Sequence, residues 1–288
     1  MIDPVGGIMR FGLKTAPMNS TWADMLAVWR EADGIDLYES AWNFDHFEPI
    51  FSDRTGPCLE GWTMLAAMAQ ATTRIRLGCQ VTGMPYRHPS VLANMAATID
   101  VISGGRLIVG LGAGWNQDEC TALGITLPPL TDRFDQFDEG CEVIIRLLRD
   151  EVANFEGAWF SLREAHCEPK PIQRPHPPIA IGGTGPKRTL RAVARYAQHW
   201  NAITRTVDSW KQSKEILLGH CADIGRDPSE IECSVNLHYH ADKGIGGVVE
   251  QAETWSEAGA DVGIVYLSTP HSPEPLAAIA EALSGLRS

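Results

Sequence analysis

The sequence has no CxxC pair, no apolar run of membrane length and no excess of basic charge. Its seven cysteines (Cys58, Cys79, Cys120, Cys141, Cys167, Cys221, Cys233) are odd in number and scattered. That spacing offers neither a disulfide framework nor a zinc knuckle, and it fits a reduced, cytoplasmic chain. Lys and Arg total 24 against 36 Asp and Glu, a formal net charge of -12. A surface so acidic argues against nucleic acid or an anionic membrane as the main partner. No apolar stretch approaches the roughly 20 residues of a membrane span. The opening MIDPVGG lacks the basic and apolar regions of a secretory signal, so residues 1–8 read as a disordered leader. Walker spacing is missing, and Gly110-Leu111-Gly112-Ala113-Gly114 does not fit GxGxxG. Both absences argue against a classical dinucleotide or P-loop site.

What is there centres on the stretch from Ile75 to Trp115. Ile75 to Val81 is short, apolar and partly β-branched, as a strand covered on both faces should be. Pro89 opens a helix at its first turn, where a missing N–H costs nothing. That helix runs to about Ile102, with Val91, Met95, Thr98 and Ile102 at steps of three or four. Gly104-Gly105 ends it, Leu107 to Leu111 forms the next strand, and Gly112-Ala113-Gly114 lets the backbone approach a ligand closely. Two parallel strands and one helix make a βαβ unit.

The same alternation runs along the chain. Strands are expected at Met9–Lys14, Ile35–Glu39, Ile179–Ile181, Trp200–Ile203, Ile231–Leu237 and Val262–Leu267. Helices are expected behind a capping box at Thr21–Asp24, from Glu60 to Thr73, and over Leu130–Arg149. Further helices follow: a basic one through Tyr196, one capped by Asp208 through Leu218, Val248–Ala258 and Pro273–Leu286. Residues 151–178, polar and carrying five prolines from Pro169 onward, read as an excursion between strands 4 and 5, in the form of an extended hairpin. Eight strands alternating with helices imply an α/β fold, a (β/α)8 TIM barrel formed by one domain over 1–288.

In such a barrel, ligands meet the C-terminal ends of the strands. Asp45-His46, Gly83, Gly112 to Trp115, Gly182 to Gly185 and His238 all fall there. Gly182-Gly183-Thr184-Gly185 sits between a strand and a helix, where free N–H groups and the helix dipole suit a phosphate. Lys187, Arg188 and Arg191 add positive charge nearby; the plainer alternative is a tight turn before a solvated helix. His46 is a candidate general acid or base, or else a structural histidine. His238 and His240 share a strand face and lack an acidic partner at metal spacing, so a pocket-lining or buried role competes with metal binding. Trp42 and Trp115, each taken to follow a strand end, are candidate walls for a flat ring.

These residues together resemble the coenzyme F420-dependent oxidoreductases of the luciferase-like monooxygenase superfamily. The carriers are Asp45-His46-Phe47, the run Leu77-Gly78 to Val81-Thr82-Gly83 and Tyr86-Arg87-His88-Pro89, the run Ser103 to Asn116, and Gly182 to Gly185. The resemblance implies a barrel holding a deazaflavin ring over the strand ends, above a cis peptide at Gln80–Val81. It implies cofactor contacts at Asp45, Gln80, Val81, Gly83, Ala113, Gly114, Trp115, Ile181, Gly182, Gly183, Thr184 and Gly185. It makes His46 the catalytic acid/base, with no metal, a small organic substrate and a homodimer. FMN, in a monooxygenase or reductase, is the alternative cofactor; a metal-dependent hydrolase is a lower one. Two departures stand out. The sugar-phosphate dehydrogenase branch has a catalytic glutamate where this chain has Trp115, and a tryptophan where it has Ile50.

Overall fold

The computed structural model describes residues 9–287, so the expected leader at 1–8 lies outside the described residues. The strands are β1 (Arg10–Thr15), β2 (Tyr38–Asn43), β3 (Arg76–Cys79), a two-residue β4 (Thr82–Gly83) and β5 (Leu107–Gly112). After a hairpin, β6 (Ala153–Glu156) with β7 (Ser161–Ala165), come β8 (Ile179–Gly182), β9 (His199–Ala202), β10 (Glu232–Tyr239) and β11 (Val262–Leu267). Eight of them close a parallel barrel: β1 pairs with β2 and β11, and β3 joins β5 to complete the ring. The helices are α1 (Trp22–Asp33), α2 (Gly61–Ala71), α3 (Pro89–Ser103), α4 (Gln117–Ala122), α5 (Leu130–Arg149), α6 (Thr189–Tyr196), α7 (Val207–Asp223), α8 (Gly246–Glu257) and α9 (Leu276–Ser284). No helix among the described residues is long and apolar enough to cross a membrane.

Local chemistry accounts for most boundaries. Thr21 and Asp24 form the expected reciprocal cap of α1. Glu60 caps α2 by accepting from the amides of Trp62 and Thr63, and Gly104 ends α3 in the left-handed conformation. Thr206 caps α7, where Asp208 was expected, because its side chain reaches the Ser209 amide.

Two expectations are corrected in ways that bear on the site. Strand β2 starts at Tyr38, three residues after the expected Ile35, because the end of α1 runs on into a turn in which Tyr38 N–H bonds Ile35 O. Trp42 therefore lies within the strand, fully buried in the barrel with Ile108, Ala180, Val262 and Ile264, and does not wall the mouth. Gly78 makes room for it: a Cβ there would lie 2.6 Å from the indole. Helix α3 also turns a different face inward, burying Leu92, Ala93, Ala96, Ala97 and Ile99 while Val91 and Ile102 stay exposed. Small alanines let the helix sit close on the sheet, and close packing outweighs side-chain size in choosing the face.

Candidate active site

The C-terminal ends of the strands form a cup whose chemistry gathers on β2, β3, β5 and the loops that follow them. His46, 8% exposed, follows β2. Its Nδ1 lies 2.8 Å from Glu119 Oε2, and its ring meets Phe44 and Trp115 edge-on at 5.1 and 5.5 Å. Glu119 sits on α4, just past the glycine turn, where Asn116 caps the helix by accepting from the Glu119 amide. Its carboxylate also accepts from Tyr86 Oη at 2.6 Å and from the Phe47 amide at 2.6 Å. Burial pushes this carboxyl up, but the bonds from His46 and Tyr86 outweigh it and hold the group below the usual carboxylate range. A carboxylate against Nδ1 keeps the hydrogen on that nitrogen. Nε2 makes no hydrogen bond among the described residues.

Beside this cluster Asp45 is fully buried, its two oxygens taken by Arg87 at 2.5 and 2.9 Å. Burial raises the Asp45 carboxyl in spite of the guanidinium. Arg87 also pairs with Glu60, the cap of α2. Both oxygens are thus engaged in holding the loop that carries His46.

The bond Gln80–Val81 is cis. Val81 projects among glycines: a Cβ on Gly112 or Gly182 would lie 2.8 or 3.2 Å from its methyl groups. Gly83 packs on the Tyr86 ring, and Ile181 is buried in β8. Ala113 and Gly114 follow β5, and Gly114 O accepts from Arg133 on α5. Trp115 is half exposed and stacks at 5.5 Å on Phe51, which is 90% exposed. Gly183, at φ +110°, gives its N–H to Asn201 O, and a turn separates the loop from α6, which begins only at Thr189. Among the described residues, the amides of that loop without a hydrogen bond are those of Thr184 and Gly185. Arg188 and Arg191 turn to Asp135 and Asp138, so of the three cations Lys187 alone has no carboxylate partner among the described residues. His238 and His240 stack at 6.3 Å in exposed positions, the His238 ring partly covered by Tyr266 at 5.4 Å. No group of three His, Cys, Asp or Glu able to hold a metal occurs among the described residues.

The luciferase-like monooxygenase profile matches residues 9–285. The chain belongs to that family. An uncharacterised Mycobacterium tuberculosis protein is 35% identical over 61% of this chain and 60% of its own length. An F420-dependent glucose-6-phosphate dehydrogenase of Kineococcus radiotolerans is 27% identical over 98% of this chain and 82% of its own. Among solved structures, an F420-dependent secondary alcohol dehydrogenase superimposes with a TM-score of 0.86, covering 98% of this chain and all of the other at 20% identity. Identity that low speaks for the fold alone. As a member of this family the chain has the closed barrel read from its strand pattern.

Glu119, Tyr86, Arg87 and Lys14 were not among the expected site residues. One signal pointed to Glu119. Asn116-x-x-Glu119 has capping-box spacing, which marks a helix start at the site, with the glutamate freed to reach across to His46. For Lys14 the signal was strand alternation, which puts Gly12 and Lys14 on one face of β1.

Proposed function

We propose that the protein is an oxidoreductase that moves a hydride between coenzyme F420 and a small organic substrate, with His46 carrying the accompanying proton. The observation that carries this is the His46–Glu119–Tyr86 cluster after β2, which leaves Nε2 without a hydrogen bond among the described residues. The residues suit the cofactor. Gly112 and Gly182 flank Val81 and leave a shelf without side chains, the Gln80 Nε2 donor is buried without a partner among the described residues, and the Thr184 and Gly185 amides suit a phosphate. When bound, the deazaflavin supplies the two-electron chemistry. The protein positions, excludes water and handles one proton. Glu119 fixes the Nδ1–H tautomer so that Nε2 meets the substrate oxygen. Trp115 and Phe51 flank that position with apolar ring faces.

Support also comes from the F420-dependent glucose-6-phosphate dehydrogenase of Kineococcus radiotolerans and from that of Microbacterium testaceum, the latter 30% identical over 81% of this chain and 69% of its own length. The substrate in this reading is an uncharged, largely apolar carbonyl or alcohol and not a sugar phosphate. Arg87 and Arg54 near His46 are paired with carboxylates, and Arg133 is bonded to carbonyls. The reading includes a cytoplasmic homodimer, supported by Val91, Val101 and Ile102 left exposed on α3. FMN, in a monooxygenase, is the second reading, and a limonene 1,2-monooxygenase of Rhodococcus erythropolis, 29% identical over 70% of this chain and half of its own length, favours the monooxygenase part of it.

Titrating F420 and FMN side by side, followed by tryptophan quenching, tests the cofactor. F420 is expected to bind at least about tenfold more tightly, a margin of about 1.4 kcal/mol; the reverse order would move the protein to the FMN reading. Glu119→Gln tests the proton path. Removing a partner that orients an active-site imidazole is expected to cost about 10–100-fold in kcat, with cofactor affinity unchanged. An unchanged kcat would separate Glu119 from the proton path.

A further inference from the structure

Lys14 is the C-terminal charged residue of β1, 8% exposed inside the barrel. Its ammonium donates to two oxygens of a single residue, Gln80 O at 3.1 Å and Gln80 Oε1 at 2.9 Å, and lies 5.0 Å from the centre of the Tyr266 ring. Among the described residues no carboxylate pairs with it. The buried acids are engaged elsewhere: Asp45 with Arg87, Glu119 with His46 and Tyr86, and Asp100 with Gln173. A buried cation ordinarily has a counter-charge, because taking a lone charge out of water costs several kcal/mol. Here burial lowers the ammonium only to about 8, so it is largely charged at neutral pH.

A second unmet need lies against the first. The Gln80 carboxamide turns its oxygen to Lys14, which leaves Nε2 buried without a partner among the described residues. Buried donors nearly always find acceptors. Two donors, one of them cationic, thus stand together next to Val81 and want an anionic acceptor. The other groups that act on Lys14 are held neutral. Burial raises the Cys79 thiol on β3 and the Tyr266 phenol on β11, and lowers the His238 imidazole on β10.

We propose that Lys14 and Gln80 form a binding pair for the anionic edge of the reduced cofactor ring, so that the protein holds the reduced cofactor more tightly than the oxidised one. The proposal rests on the cofactor reading above. A hydride brings two electrons and one proton, so its arrival adds one negative charge to the ring. That charge spreads over a nitrogen and a neighbouring carbonyl oxygen of the pyrimidine portion, an acceptor edge suited to an ammonium and an amide N–H. The same logic holds for reduced FMN.

The test is anaerobic titration of wild type, Lys14→Met and Lys14→Arg with the oxidised and reduced forms of F420, and of FMN. In Lys14→Met the affinity for the reduced form is expected to fall about tenfold or more, as loss of a charge-assisted hydrogen bond implies, while the oxidised form changes little. That lowers the midpoint potential of the bound cofactor by about 30 mV for a two-electron couple. Lys14→Arg, which keeps the charge, should retain most of the preference. The apo melting temperature of Lys14→Met should not fall, since a buried unpaired charge is being removed. A ratio of affinities unchanged in Lys14→Met, or an equal loss for both forms, overturns the proposal and leaves the cofactor reading standing. If wild type binds neither F420 nor FMN, the cofactor reading itself fails and this proposal with it.

Discussion

Replacing His46 with Asn is expected to lower kcat by about 10²–10⁴-fold, the range a positioned acid/base contributes. The substitution isolates proton transfer from architecture. An asparagine amide can still donate to Glu119, as the imidazole Nδ1 does across 2.8 Å, so the buried carboxylate keeps its partner and the loop its anchor. What is lost is the second ring nitrogen, the atom positioned to pass a proton to and from the substrate. Cofactor affinity should hold, because the shelf around Val81 and the amides of Thr184 and Gly185 are untouched. Loss of binding with a normal residual kcat would make His46 a cofactor contact. A kcat unchanged within about threefold, well under that range, would return it to a structural role. Trp115→Ala supplies the control. If water carries the proton, removing the indole that lies edge-on to His46 at 5.5 Å does the greater damage.

The barrel was legible because a doubly covered strand has a plain signature: a short β-branched run between turn residues. Val262–Leu267 is a strand over the same residues in sequence and structure, and Leu107–Leu111 differs from β5 by a single glycine. The pattern fails where a turn copies it. Ile35 and Leu37 are apolar and flank a charged residue, yet the end of α1 holds this segment in a turn, and the strand begins at Tyr38. That shift moved Trp42 from the rim to the centre of the barrel. On α3 the error came from weighing side chains by size, since the inward face is the one rich in alanine.

The site was half legible for a related reason. Asp45, His46, Val81 and the glycine turns announce themselves through unusual residues at strand ends. Glu119 and Arg87 do their work through pairings set by the fold, 73 and 42 residues from their partners, and no local pattern encodes a pairing at that distance. The cis bond at Gln80–Val81 has no local signal either; only the resemblance pointed to it. Lys14 is the instructive case. Alternation puts it inside the barrel, where an isolated lysine looks like an exception to the pattern, and that no carboxylate among the described residues pairs with it is set by the fold, with no local sign in the sequence.

Arg87→Met is expected to destabilise the protein by about 3–5 kcal/mol, the usual cost of removing one side of a buried ion pair. Asp45 is fully buried with both oxygens on this guanidinium, and methionine of similar length offers nothing in exchange. Glu60, the other partner, is a third exposed and can turn to water. The pH dependence follows from Asp45. Burial already raises its carboxyl against the pull of Arg87, and without the guanidinium it rises further. Between the unfolded value of about 3.9 and that raised folded value, the folded variant holds a proton that the unfolded chain has released. Stability of the variant therefore falls as pH rises through this window, and its deficit against wild type narrows on the acid side. Urea denaturation at pH 8 and pH 5.5 reads both effects. A deficit below about 1 kcal/mol at pH 8, the level of an exposed pair, or one that widens on acidification, would mean that Asp45 does not depend on Arg87 for its place beside His46.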